Sequence, residues 1–215
     1  MEQFIQHWIN REMTSPVMDQ LMAGITNYSA WFPFLVVAVI IGLIFGNFRM
    51  RVMLLCLGIA LGITDGVVVN GLKHAVGRAR PLQVEPGVRN VHLAPSKPAF
   101  LALVKPPKIK FPMTAPFGAI VEGRSFPSSH SSNIMMIATV IFLFYRRWGM
   151  IAYFIALLVC YARVYTGAHW PSDVLAGALL GIIIGVLVVR LMDWAWRKWG
   201  ARLAPALAAR HPELL

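Results

Sequence analysis

An all-α, polytopic transmembrane helical bundle of five to six spans is the fold class this 215-residue chain predicts. Two observations carry that reading. The chain is 58% hydrophobic and only 13% charged, where a soluble domain needs a far more charged surface. Its apolar residues also fall into long runs, separated by short basic turns or by one long basic loop. The length suits a single membrane-embedded unit over residues 1–215, with no room for a second soluble domain.

Residues 1–14 place Met1, Phe4, Ile5, Trp8 and Ile9 at helical spacing. Residues 1–26 are therefore expected to form an interfacial helix, with simple core packing as the alternative. With Glu2 present and no apolar core before residue 20, a cleaved signal peptide is not expected. Ser15-Pro16 has the chemistry of an N-cap and a first helical position. The first span is expected over about Ala30–Gly46, bent near Pro33. Asn47, Arg49 and Arg51 make a short basic turn, and Val52–Leu72 is the second span, interrupted only by Asp65. Residues 73–125 form a long loop with nine Lys/Arg against two Glu, and Pro95–Pro116 is read as irregular. A loop of this length is a candidate functional segment.

Ser131–Tyr145 is the third span, Arg146-Arg147 a second basic turn, Trp148–Ala162 the fourth span and Val174–Met192 the fifth. Trp194, Trp196, Arg197, Lys198 and Trp199 then make an aromatic and basic interface belt. With five spans, the turns at 47–51 and 146–147 and the tail share one side. Their charge makes that side cytoplasmic. The loop 82–125 and the link 163–173 then share the outer face, as long loops weigh little in the charge rule. Gly177, Gly181 and Gly185 repeat every four residues in the last span. Small residues at that spacing let helices approach closely, within a bundle or across a dimer seam.

The charge balance is strongly basic, 20 Lys+Arg against 9 Asp+Glu. Because those charges sit between apolar runs, anionic lipid fits them and nucleic acid does not. Two cysteines, Cys56 and Cys160, lie inside apolar runs and read as small buried side chains.

Three stretches carry the chemistry. Lys73, Arg80-Pro81 and Arg163 supply three cations at span ends. Each alone could be a membrane anchor. Three beside two histidines suit a phosphate, which takes forked donors and whose shifting charge fixed cations stabilise. Ser125-Phe126-Pro127-Ser128-Ser129-His130 precedes an apolar run. That is ordinary helix-start chemistry, and equally a ring of N–H and hydroxyl donors for an anion, with His130 beside it as proton donor. In the third stretch Pro171 can open a helix with Asp173 in its first turn. His169 then precedes that helix, close enough for Asp173 to accept a proton from one ring nitrogen and leave the other as nucleophile. No further His, Cys or carboxylate cluster accompanies the pair, so no metal site and no cofactor are expected, and turnover should need no Mg²⁺. Arg78, Arg124 and the lysines at 97, 105, 108 and 110 are candidate contacts to a second phosphate or sugar-phosphate headgroup. A solvated basic loop near anionic lipid explains them as well. Asp65 reads as a structural partner in the second span rather than a functional acid.

Lys-x6-Arg-Pro at 73–81, Pro-Ser-x-His at 127–130 and Arg-x5-His-x3-Asp at 163–173 resemble the three signature motifs of type-2 phosphatidic acid phosphatases. Their order and membrane setting agree as well. The resemblance implies a metal-independent phosphohydrolase that forms a phospho-histidine. In it His169 is the nucleophile, Asp173 its partner and His130 the general acid. Lys73, Arg80, Ser128, Ser129 and Arg163 hold the phosphate. Two departures stand out: Ser129 occupies a position that is often glycine, and Ala162 one that is often serine. The implied substrates are anionic membrane lipids: undecaprenyl diphosphate, phosphatidylglycerol phosphate, phosphatidate or lipid A 1-phosphate. The implied place is a bacterial inner membrane, with the site on its periplasmic face. The alternative is a lipid phosphotransferase that passes the phosphate to a lipid or sugar hydroxyl.

Overall fold

The computed structural model describes residues 1–115 and 123–215. Part of the long loop, 116–122, therefore lies outside the described residues. Ten helices and a small sheet are present among the rest. α1 (Glu2–His7) runs on as a π-helical turn, Trp8–Glu12, and α2 (Pro16–Thr26) follows. α3 (Tyr28–Phe45) and α4 (Phe48–Ile63) form an antiparallel hairpin, and α4 continues through a π-helical stretch, Thr64–Val69, into α5 (Asn70–Val76). A short α6 (Pro81–Val84) leads to β1 (Asn90–Leu93) and β2 (Pro107–Lys110). α7 (Ser129–Phe144), α8 (Arg146–Tyr165) and α9 (Pro171–Leu203) complete the bundle, and α10 (Pro205–Arg210) ends it.

Among the described residues, four segments are long and apolar enough to cross a membrane: Tyr28–Phe45, Phe48–Val84, Arg146–Tyr165 and Pro171–Leu203. α7 is the fifth apolar helix and is shorter, 16 residues, about 24 Å of helix. It is also the centre of the molecule, packed chiefly on α9 and α8. Met136, Val140 and Phe144 on α7 meet Met53, Cys56 and Ala60 on α4 and Ile184, Val188 and Val189 on α9. Its other side meets Ala156 and Cys160 on α8. Both cysteines are free and buried. α3 is exposed along most of its length, which suits a helix whose side chains meet lipid. Pro33 is accommodated inside it.

The ends of the bundle differ. At one end Tyr145 donates to Asn47 Oδ1 (3.4 Å), Arg49 lies over the Tyr145 ring, and Phe48 meets Trp196 and stacks on His211. Both short basic turns and the C-terminal belt therefore sit together. The three motif stretches gather at the opposite end.

Three expectations need correcting. The segment 1–26 is not one interfacial helix: the chain breaks after Glu12, and Ser15 caps a new helix by accepting the Met18 N–H (3.2 Å), with Pro16 at its first position. Across α1 and the π-helical turn that follows, it is the polar side that is buried. Gln6 and Asn10 are fully inaccessible, whereas Phe4 and Trp8 are 71% and 51% exposed. Ile9 alone of the apolar stripe joins core clusters. Finally, the long loop is not wholly irregular but carries a small two-stranded sheet. β1 pairs antiparallel with β2, Val91 opposite Ile109, because alternate residues Val91 and Leu93 can pack on Ala23 of α2.

The glycine row on α9 is seated on α7. A Cβ at Gly177 would stand 2.6 Å from the Ser128 carbonyl oxygen, and one at Gly185 3.1 Å from Thr139 Cβ. At Gly181 it would run into the Ser132 carbonyl. The row is thus a packing surface within the bundle. Gly181→Ala is expected to cost about 1–3 kcal/mol of stability, measured as earlier thermal unfolding in detergent with an unchanged oligomeric state. A changed oligomeric state at full stability would refute this role.

Candidate active site

Each motif residue is delivered by a helix end. α5 stops at Gly77, which has φ +60° and returns its N–H to the Lys73 carbonyl (3.1 Å). The chain then runs extended through Arg78–Arg80, and Pro81 opens α6 with Gln83 accepting the Arg80 N–H (2.8 Å). Lys73 points across to α7 and donates to Ser129 Oγ at 2.5 Å. The strand-like approach to α7 lies beside this segment: Ser125 N–H donates to the Arg78 carbonyl (2.9 Å).

α7 begins with a serine cluster. Ser128 caps it, its hydroxyl oxygen accepting from Ser131 N–H (3.4 Å) and Ser131 O–H (3.0 Å). The Ser128 N–H is not free for a ligand, because it donates to the Asp173 carbonyl (3.0 Å) and so ties α7 to α9. Ser129 and His130 are the first two helical residues. Their N–H groups precede the first intrahelical bond and add to the positive end of the helix.

The link from α8 to α9 makes the tightest turn. Gly167 adopts φ +75°, and a Cβ there would stand 2.7 Å from Val88 Cγ1. That left-handed residue lets Ala168 and His169 both return their N–H groups to the Arg163 carbonyl (3.2 Å each). Arg163 and His169 are thereby brought to one side of the link. Trp170 then caps α9, with Pro171 in first position. Asp173, the third residue of α9, folds back so that Oδ2 accepts the Trp170 N–H (3.0 Å).

That capping role alters the expected His169–Asp173 pair. The ring Nδ1 lies 3.8 Å from Asp173 Oδ2, beyond hydrogen-bond length. It lies 2.9 Å from the Ser125 carbonyl oxygen. A carbonyl can only accept, so Nδ1 carries the proton and Nε2 keeps its lone pair. The carboxylate is satisfied elsewhere, by Ser125 Oγ (2.5 Å), Trp170 N–H and Arg78 Nη1 (2.8 Å to Oδ1). Asp173 and the His169 ring are therefore both held by Ser125. His169 is 2% exposed. Burial is the largest cause depressing its pKa, to about 4; Asp173 opposes that shift, and Arg163 and Arg80 reinforce it. The imidazole is neutral at pH 7.

Arg80, Arg163 and Ala168 line a cavity of about 280 Å³ that opens between α2 and β1. Leu82, Asn90 and His92 line its further part. Arg163 Nε and His92 Nδ1 are buried without a hydrogen-bond partner among the described residues. The charged donors lining it are two guanidinium groups, joined by threonine hydroxyls and asparagine amides, a set that suits an anion.

Of the two residues expected at a headgroup, only Arg78 is held elsewhere. Arg78 is committed to Asp173, Ser172 and Glu2 and lies over the Trp170 ring, and Arg124 is exposed. Asp65 accepts from Asn133 of α7 (3.1 Å), a link between helices. Gly167 and Glu2 build the site without having been expected there, Ser125 holds Asp173 and His169 rather than an anion, and Arg78 serves a carboxylate rather than a headgroup. Gly167 had a signal, a lone glycine between a helix end and a helix start. The others had none, since their partners are 44 to 170 positions away.

A family model described as the PAP2 superfamily matches residues 51–197. Among curated proteins, the lipid A 4'-phosphatase of Bacteroides thetaiotaomicron is 31% identical over 180 residues, 78% of this chain and 66% of that protein. The Escherichia coli putative undecaprenyl-diphosphatase YbjG is 36% identical over 37% of this chain and 38% of its own length. The match thus spans less than two thirds of either relative. Among solved structures, Aquifex aeolicus LpxE superposes with a TM-score of 0.62 at 25% identity, covering 88% of this chain and 94% of that one.

Proposed function

The chain belongs to the PAP2 superfamily, and on that premise we propose that it is an integral-membrane, metal-independent phosphatase of an anionic lipid, working through phospho-His169. The observation that carries this reading is the His169 ring itself. It is neutral, with Nδ1 held by the Ser125 carbonyl, which leaves the Nε2 lone pair free to attack a phosphate held by the neighbouring Arg80 and Arg163. Nε2 attacks phosphorus, and the bond from phosphorus to the leaving oxygen breaks as His130 donates a proton to that oxygen. Burial, with Arg163, Lys73 and Arg80, holds the His130 pKa at about 3 in the free protein, so the negative charge of the bound phosphate is what lets His130 take up that proton. Water then attacks the phospho-histidine, His130 takes its proton, and inorganic phosphate leaves. Lys73, Arg80, Arg163, Ser129 and the first-turn N–H groups of α7 stabilise the charge that builds on the phosphoryl oxygens. Ser128 serves as the cap that sets those N–H groups.

The whole chain acts as one catalytic unit. Its basic end is cytoplasmic by the positive-inside rule, which turns the site to the periplasmic face of an inner membrane. Among undecaprenyl diphosphate, phosphatidylglycerol phosphate, phosphatidate and lipid A phosphate, the cavity favours the last. Beyond the two arginines its lining among the described residues holds no lysine, further arginine or carboxylate: the Asn90 amide and the His92 imidazole stand against Leu82, Val91 and Leu93. That mixture suits the hydroxyls and apolar face of a sugar better than a second phosphate. The same room beside the arginines could seat an acceptor hydroxyl, which supports a phosphotransferase as the second reading.

The test is phosphate release by purified protein in EDTA across the four lipids. Release from the glycosyl phosphate lipid, with none of the phosphate retained on another lipid, is the expected result. No release until an acceptor lipid is added would establish the transferase instead. Dependence on added Mg²⁺ would overturn the metal-free mechanism.

A further inference from the structure

Glu2, Gln6 and Asn10 stand four residues apart on the N-terminal helix, and all three reach the α8–α9 link. Gln6 Nε2 donates to the Val164 carbonyl (3.0 Å), and Asn10 Nδ2 donates to the Tyr165 carbonyl (2.6 Å). Glu2 does more. Its Oε1 accepts from both the N–H (3.1 Å) and the hydroxyl (2.5 Å) of Ser172, in the first turn of α9. Its Oε2 accepts from Arg78 Nη2 (2.7 Å), and the other terminal nitrogen of the same guanidinium holds Asp173 Oδ1 (2.8 Å). Burial works to raise the Glu2 pKa, but the bonds from Ser172 and Arg78 outweigh it and hold the carboxyl below its ordinary value. Glu2 is therefore ionised at neutral pH and lies at the positive end of a 33-residue helix.

We propose that Glu2 is a positioning residue of the active site, acting through Arg78 on Asp173 and through Ser172 on the start of α9. The inference rests on the phosphatase reading above. A guanidinium can bridge two carboxylates because its two terminal nitrogens point in different directions. With Glu2 in place, Arg78 is shared, and Asp173 keeps enough negative charge to support the neighbouring His169. Without it, Arg78 neutralises Asp173 alone. Asp173 is also faced by Ser125 before α7 and by His169 and Trp170 of the link, with Arg80 and Arg163 as the further cations. None of these replaces the lost carboxylate. Nothing in the helix periodicity announces this device, because a glutamate at position 2 looks like an ordinary first-turn acid.

The experiment compares wild type, Glu2→Gln, Glu2→Asp, Arg78→Gln and the double variant Glu2→Gln/Arg78→Gln, as full chains in detergent. Glu2→Gln keeps one acceptor, for Ser172, and loses both the charge and the acceptor that faces Arg78. It is expected to lower kcat about 10- to 100-fold through misplacement of the link, with KM within about twofold, as expected when only the transition state is affected. The acid limb of kcat/KM should move to lower pH, since removing a negative charge near His169 disfavours its protonated form. Glu2→Asp should recover part of kcat. In the Arg78→Gln background the Glu2 change should have little further effect, since the two act in series. Full kcat and an unmoved pH profile in Glu2→Gln, with active wild type, would overturn the inference. Additive losses in the double variant would do the same. An inactive wild type would instead strike the phosphatase reading.

Discussion

Replacing His169 with alanine is expected to reduce phosphate release about 10⁴- to 10⁶-fold, the scale seen when a covalent nucleophile is removed. The protein should still fold, because His169 makes one side-chain hydrogen bond, to Ser125. Wild-type protein quenched during turnover of a ³²P-labelled substrate should carry acid-labile label, and His169→Ala none. The pH dependence supplies a second check. Burial, reinforced by Arg163 and Arg80, holds the His169 pKa at about 4. The group is an active neutral base above that pH and is lost as a nucleophile only as pH falls through it. After the second ionisation of the substrate phosphate, about 6, is divided out, the remaining acid limb of kcat/KM should fall near pH 4. A residual limb at the ordinary imidazole value would mean that another group titrates. Full label on His169→Ala would mean that the nucleophile lies elsewhere.

Arg163→Met is expected to lower kcat/KM about 10²- to 10³-fold, the usual cost of one preorganised donor to a transition-state oxyanion. The geometry makes the site exacting. Arg163 ends α8, its carbonyl anchors the turn that carries His169, and its Nε is buried and unpartnered among the described residues. A buried donor with no partner is costly in the free protein, so a ligand that satisfies it is bound with correspondingly greater effect. Arg163→Lys should recover less than a tenth of the lost activity, because an ammonium cannot reproduce the planar fork. Activity of Arg163→Met within about threefold of wild type, at equal thermal stability, would remove the residue from the phosphate cradle.

Residue patterns alone determined much of this protein. Apolar runs bounded by Asn47–Arg51 and Arg146-Arg147 marked the helices, because a chain in lipid must bond its backbone internally and a helix does so within one segment. The motif spacings singled out Lys73, Arg80, Ser129, His130, Arg163, His169 and Asp173, since helix starts and ends advertise themselves through Pro, Ser and Gly. Ser15-Pro16 and Trp170-Pro171 were legible for the same local reason. The paired strands at 90–93 and 107–110 were not, as they need the face of α2 to pack on. The tertiary structure alone decided who holds whom. Asp173 turned from His169 to cap its own helix, the Ser125 carbonyl accepted the imidazole N–H instead, and Arg78 was drawn from the lipid headgroup to a carboxylate pair completed by Glu2. Helix caps depend on neighbours three or four residues away, and a sequence displays them. Partners of buried charges are chosen by whichever group, from anywhere in the chain, arrives to offset the cost of desolvation, and only folding brings those groups into contact.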